Sequence, residues 1–186
     1  MKKMIPEYVK EAIGIPIKVT PSQELINEVN DIIGTRQKLN QPINNFTFTR
    51  ILNALMLERG FAKLINGKKN PLEYDYSNPE TYAYDVVGPN NEHFEVKRKK
   101  DRTFKWVLDG HKGKIDLTSF KKHQYLVDYI IGGNILSVDK DTNTYTIVYD
   151  FVANAKNFFD YQMKSKYNSE YMYKSMIAMR RGDCYE

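Results

Sequence analysis

Hydrophobic residues recur along this chain at spacings that switch from a helical to a strand period. Leu25, Ile26, Val29, Ile32 and Ile33 return every three or four positions behind Pro21-Ser22-Gln23-Glu24, and Gly34 stands where a C-terminal cap is expected. The polar stretch 37–45, with Pro42, reads as a connection. Phe48, Ile51, Leu52 and Leu55 then mark a second helix over 47–59, with Gly60 placed to end it. Glu58 falls on the inward stripe of that helix or its border, where a carboxylate is costly unless paired or metal-associated.

Beyond the helices the period shortens. Turn signals at 68–71 and 77–79 enclose a short strand over 72–76. Aromatic and β-branched residues over 81–87 and 92–98, joined by Gly88-Pro89-Asn90-Asn91, predict an antiparallel hairpin. Alternation over 103–108 gives a third strand, followed by a basic loop at 110–114 that holds His111 and by a helix over 118–128 capped by Thr118 or Ser119. Apolar Tyr129-Ile130-Ile131 ends at a glycine pair, 132–133. Strands over 134–138 and 144–149 then form a second hairpin at the edge of the sheet, and a helix runs from about 152. The pattern predicts one α/β domain over 1–186 in which helices flank a central mixed β-sheet.

Composition narrows the classes. At 186 residues, 41% hydrophobic and 27% charged, the chain is suited to one folded domain and excludes wholesale disorder. A net charge of +5 favours polyanionic partners. No stretch approaches the roughly 20 apolar residues of a membrane span, and the first residues lack a secretory core, so a cytoplasmic protein with no membrane partner is expected. The single cysteine, Cys184, excludes an internal disulfide and a cysteine zinc cage. P-loop, His-Glu-x-x-His and nucleophile-elbow patterns are absent.

The chemistry concentrates on the predicted hairpin. Alternation puts His93, Glu95 and Lys97 on one face of their strand and Phe94 and Val96 on the other. Glu95 and Lys97 are then about 6.6 Å apart, within reach of one phosphate. The 88–91 turn can fold Asp85 back toward Glu95. Two adjacent carboxylates repel unless a cation joins them, and a hard divalent ion such as magnesium, with its preference for oxygen ligands, meets that need. Such an ion would activate a water for attack on phosphorus, with Lys97 orienting that water or stabilising developing charge.

Asp85, nine intervening residues, and Glu95-Val96-Lys97 resemble the PD-(D/E)XK nuclease superfamily, many of whose members are restriction enzymes and phage nucleases. The resemblance covers about 47–149 and implies a restriction-endonuclease-like fold whose nuclease core lies there, with the N- and C-terminal segments as flanks. It also implies hydrolysis of nucleic-acid phosphodiesters with magnesium or manganese, with DNA favoured over RNA, internal cleavage favoured and host cytoplasm as the location if the chain is viral. Asp85, Glu95 and the Val96 carbonyl would hold the metal, and Glu58 matches the acidic residue that an earlier helix often adds. Tyr84 stands where the namesake proline would be. Similar nucleases place a polar residue of the following helix near the scissile phosphate, a position Gln124 fits, with Lys121 on the same helix. Lys99 and Lys100 would grip phosphates and His93 could touch substrate. Homodimerisation stays open. The alternatives are a non-catalytic basic nucleic-acid-binding module and a small interaction protein.

Overall fold

In the computed structural model, residues 4–72, 78–81, 83–98, 104–107, 126–155, 173–176 and 184–185 are described. Helix α1 (Glu7–Ala12) and strand β1 (Ile17–Val19) precede helix α2 (Gln23–Lys38). Ser22 caps α2 by accepting from the Leu25 N–H at 3.2 Å. Gly34, expected to end this helix, lies inside it, and the left-handed turn falls instead on Asn40, with φ 51°. Arg36 and Lys38 in the last turn favour the longer helix through its dipole.

Helix α3 (Thr47–Leu64) likewise runs past its expected stop at Gly60. A Cβ at Gly60 would stand 2.6 Å from the Tyr149 hydroxyl, so this glycine permits close packing and does not cap a helix. Leu55, Met56, Leu57 and Phe61 are buried on α3, whereas Phe48, expected on the inward stripe, is exposed.

Strands β2 (Lys68–Lys69), β3 (Val86–Val87), β4 (His93–Arg98), β6 (Tyr129–Asp139) and β7 (Thr144–Asn154) join β1 in one mixed sheet, in the order β1-β7-β6-β4-β3-β2. The 88–91 hairpin forms as expected, with Val86 opposite Phe94 and Val87 opposite His93. Its first strand is shorter than the expected 81–87, confined to Val86–Val87, with a 3-10 turn at Pro79–Thr81 and irregular backbone over 83–85. Most of the strand expected over 72–76 lies outside the described residues, and β2 occupies what read as a turn.

Strand β4 pairs with β6 in parallel, and β6 with β7 antiparallel. The second hairpin is therefore central, not an edge, and β6 continues through Gly132 and Gly133 with a register shift between them. A Cβ at Gly133 would meet Leu57 at 2.7 Å and the Tyr149 ring at 3.0 Å, so the glycine admits the α3 side chains close to the sheet. Strand β5 (Phe104–Val107) agrees with the sequence but pairs with β8 (Tyr173–Met176) in a separate two-stranded sheet. Where a helix is expected from about 152, residues 152–154 end β7, and 173–176 and 184–185 form short strands β8 and β9 (Cys184–Tyr185), the latter parallel to β7; most of the expected helix lies outside the described residues. Most of the helix expected over 118–128 lies outside the described residues.

Aromatic contacts lock α3 to the sheet. Phe61 meets Phe94 and Tyr149 edge-on at 5.3 and 5.2 Å, and Phe94 stacks on Tyr129 at 5.4 Å. Each such pair contributes about 0.5–1.5 kcal/mol beyond area burial. The Tyr149 hydroxyl donates to the Leu57 carbonyl at 2.6 Å, which sets the height of α3 one residue before Glu58.

Candidate active site

Asp85 owes its position to an irregularity at the start of β3. Phe94 pairs with Val86, yet its carbonyl also accepts the Asp85 N–H at 2.9 Å. Two residues thus oppose one, the geometry of a β-bulge, which turns the preceding side chain out of the regular alternation. The Asp85 carboxylate then takes the Val96 N–H at 2.7 Å, filling a ladder position that the short β3 leaves vacant. Buried Asn70 fixes the approach: its N–H donates to the Asp85 carbonyl at 3.0 Å, and its amide donates to the carbonyls of Glu80 and Tyr84. The sequence showed Asn70 only as part of an Asn-Pro turn.

On β4 the expected alternation holds, with Phe94 and Val96 buried and His93, Glu95 and Lys97 partly exposed. The Lys97 ammonium forms an ion pair with Glu95 Oε1. Glu95 Oε2 is buried without a hydrogen-bond partner. Phe94 packs toward α3, which carries Glu58, so Glu58 and Glu95 approach from opposite faces. Asp85 directly precedes β3, and its charge acts on Glu58.

Electrostatics ties the group together. Burial raises the Glu58 pKa well above the ordinary carboxylate range, and the Asp85 and Glu28 charges raise it further, against the opposing pulls of Lys97 and Arg59. Burial also raises Asp85, opposed by Lys97 and by the Val96 N–H. Lys97 is thus the cation common to Glu58, Asp85 and Glu95. Among the described residues, no three carboxylate, imidazole or thiol groups close into a ready metal cage.

Glu58 and Asp85 open onto a cleft of about 860 Å³, walled by Glu28, Ile32 and Arg36 of α2, by Leu39 just beyond it and by the 69–72 segment. Glu28 accepts from Arg59 at 2.6 Å and from Lys69. Although burial opposes it, these two bonds hold the Glu28 pKa below its ordinary value. This triad escaped the sequence, since its members stand 31 and 41 residues apart.

The remaining expected residues divide. His93 is held at both ends: its Nδ1 meets the Leu126 carbonyl at 2.9 Å and its backbone N–H donates to Asp128 at 2.9 Å. Tyr84 is buried and stacks on the His93 ring at 3.9 Å, a packing role. Lys99, Lys100, Lys121 and Gln124 lie outside the described residues.

A model of the bacteriophage T4 endonuclease IV family matches residues 18–116, more than half of the chain and the whole of this cluster. The chain belongs to the bacteriophage T4 endonuclease IV family. Membership makes it a nuclease of phage type. No curated protein and no solved structure matches. No helix among the described residues is long and apolar enough to cross a membrane.

Proposed function

We propose that this nuclease is a metal-dependent DNA endonuclease of PD-(D/E)XK type, with Asp85, Glu95, Lys97 and Glu58 as its catalytic residues. One observation carries the reading: Lys97 acts on all three carboxylates, Arg59 adds a weaker pull on Glu58 alone, and one of the carboxylate oxygens, Glu95 Oε2, is buried with no donor. An acidic cluster short of positive charge suits a magnesium or manganese ion, which prefers oxygen ligands. Asp85, Glu95 and Glu58 would supply carboxylates. The Val96 carbonyl fits as a neutral ligand, because strand geometry turns it to the same edge as the Val96 N–H that Asp85 accepts. The order of parts, an acid on a helix, an acid at a short strand and Glu-x-Lys on its antiparallel neighbour, supports a restriction-endonuclease-like arrangement.

A bound ion supplies positive charge at the scissile phosphate and a water of lowered pKa. The chain does the rest. Lys97 stabilises charge developing on the phosphoryl oxygens and orients the attacking water. Asp85 is held in register by Val96 and Asn70, so the acid does not reorganise as substrate arrives. Lys99 and Lys100, which follow β4 in sequence, would hold flanking phosphates, and Gln124 and Lys121 would approach from the helix expected after the sheet.

Cleavage of a DNA plasmid and of labelled oligonucleotides, with magnesium and with chelator, tests the proposal. Wild-type protein should cleave only with the metal. Asp85→Asn keeps an acceptor for the Val96 N–H and should stay folded, bind DNA and fail to cut. Cleavage that survives both the chelator and Asp85→Asn refutes the assignment.

A further inference from the structure

The α2–α3 connection carries apolar side chains that the fold does not bury. Residues 37–46 are all exposed, and they present large apolar side chains: Leu39 is 63% exposed, Ile43 39% and Phe46 71%, with Phe48 beside them at 37%. Leaving such large apolar side chains in water forgoes the gain of burying them, which makes a set of them close together more informative than a single case. The turn that displays Phe46 is built. The Phe46 N–H donates to Asn44 Oδ1 at 3.0 Å, the Asn44 N–H donates to Thr47 Oγ1 at 2.9 Å, and Thr47 is buried. Phe46 is therefore presented by an ordered scaffold, and little ordering remains to be done when a partner binds.

Charge identifies the partner. From residue 32 to residue 57 the chain has no aspartate or glutamate, while Arg36, Lys38 and Arg50 lie within it. Aromatic and apolar side chains interleaved with cations suit a nucleic-acid strand, whose bases stack and whose phosphates need neutralising. The patch is continuous with the cleft, since Arg36, Leu39 and Gln41 line the same space as Glu58 and Asp85. Phe46 stands about 18 Å along α3 from Glu58, roughly five nucleotides of a stacked strand.

We infer that the α2–α3 connection is a base-stacking platform, with Phe46 as its principal contact, that holds DNA several nucleotides from the scissile phosphate. The platform rests on the nuclease reading for its substrate, but its measurement does not depend on cleavage. Fluorescence anisotropy with labelled single- and double-stranded DNA oligonucleotides in chelator gives affinity across a salt series. Phe46→Ala should weaken binding by about 5- to 150-fold, and Phe46→Trp should restore it. The dependence on salt should keep its slope, because no phosphate contact is lost. Phe46 is exposed, so Phe46→Ala should melt at the wild-type temperature. Unchanged affinity in Phe46→Ala overturns the platform, and the same variant turning a wild-type dimer into a monomer in sedimentation would assign the patch to self-association. If Asp85→Asn still cuts while Phe46→Ala binds weakly, the acidic site is misassigned and the platform stands. The converse result refutes the platform alone.

Discussion

Gly60 and Gly34 both lie inside helices, and the same substitution should act on them in opposite directions. Alanine is favoured over glycine in a helix interior by about 1 kcal/mol. At Gly34 nothing lies within 4 Å of the added methyl, so Gly34→Ala should stabilise by about 0.4–1 kcal/mol. At Gly60 the methyl would sit 2.6 Å from the Tyr149 hydroxyl and 3.4 Å from Ile17 Cδ1. A tyrosine tip could normally swing aside. This one cannot do so cheaply, because its ring is fully buried, meets Phe61 at 5.2 Å and would itself crowd any Cβ at Gly133. Moving it also breaks the 2.6 Å bond to the Leu57 carbonyl. Overpacking costs about 1–3 kcal/mol and a lost hydrogen bond about 0.5–1.5, which together exceed the helical gain. Gly60→Ala should therefore destabilise by about 1–3 kcal/mol and melt roughly 2–12 °C below wild type. Thermal melts by circular dichroism, with both variants in one buffer, read the difference. Glu58 lies on the same turn of α3, so kcat should fall more than KM rises. A Gly60→Ala protein as stable as wild type would show that α3 is not seated against Tyr149 as described.

Three further outcomes follow from the charges. The Glu58 pKa is raised in the folded protein, so stability is greatest where Glu58 is protonated and is lost as pH rises through that raised value. Glu58→Gln should consequently melt higher than wild type at neutral pH, lose this advantage in acid and cleave poorly; a lower melting temperature at neutral pH counts against a buried, under-compensated carboxylate. Glu28 has the opposite sign, since its lowered pKa gives stability that is present above the ordinary carboxylate range and lost as pH falls through the folded value. Glu28→Gln should melt below wild type at neutral pH, with the gap closing in acid; a gap independent of pH excludes the ion pairs as its cause. Lys97→Ala removes the cation shared by the acids and should destroy cleavage while binding persists, with a stability loss that acid relieves; cleavage at the wild-type rate would remove Lys97 from the chemistry.

Local signals carried much of this protein. Ser22 ahead of a helical stripe specified the start of α2, the 88–91 turn specified the β3–β4 hairpin, and a period of two placed Phe94 and Val96 inward with Glu95 and Lys97 outward. These succeed because capping, turn geometry and strand alternation are decided within a few residues. Glu58 was legible for a related reason: a carboxylate on an apolar stripe conflicts with its surroundings, and such conflicts gather at functional sites.

What the sequence could not decide was set between distant segments. Gly34 and Gly60 resemble helix stops locally, but α2 and α3 run through them, and at Gly60 the reason is a tyrosine on β7. Gly132 and Gly133 resemble a break, yet they form part of a central strand because α3 must approach the sheet there. The bulge that turns Asp85 toward Val96, the Asn70 clamp and the Glu28 triad each require segments far apart in the chain to be in place first. Residue types and periods determined which side chains could do the chemistry. Packing of α3 on the sheet, where backbone and side chains compete for the same few ångströms, determined where those side chains meet.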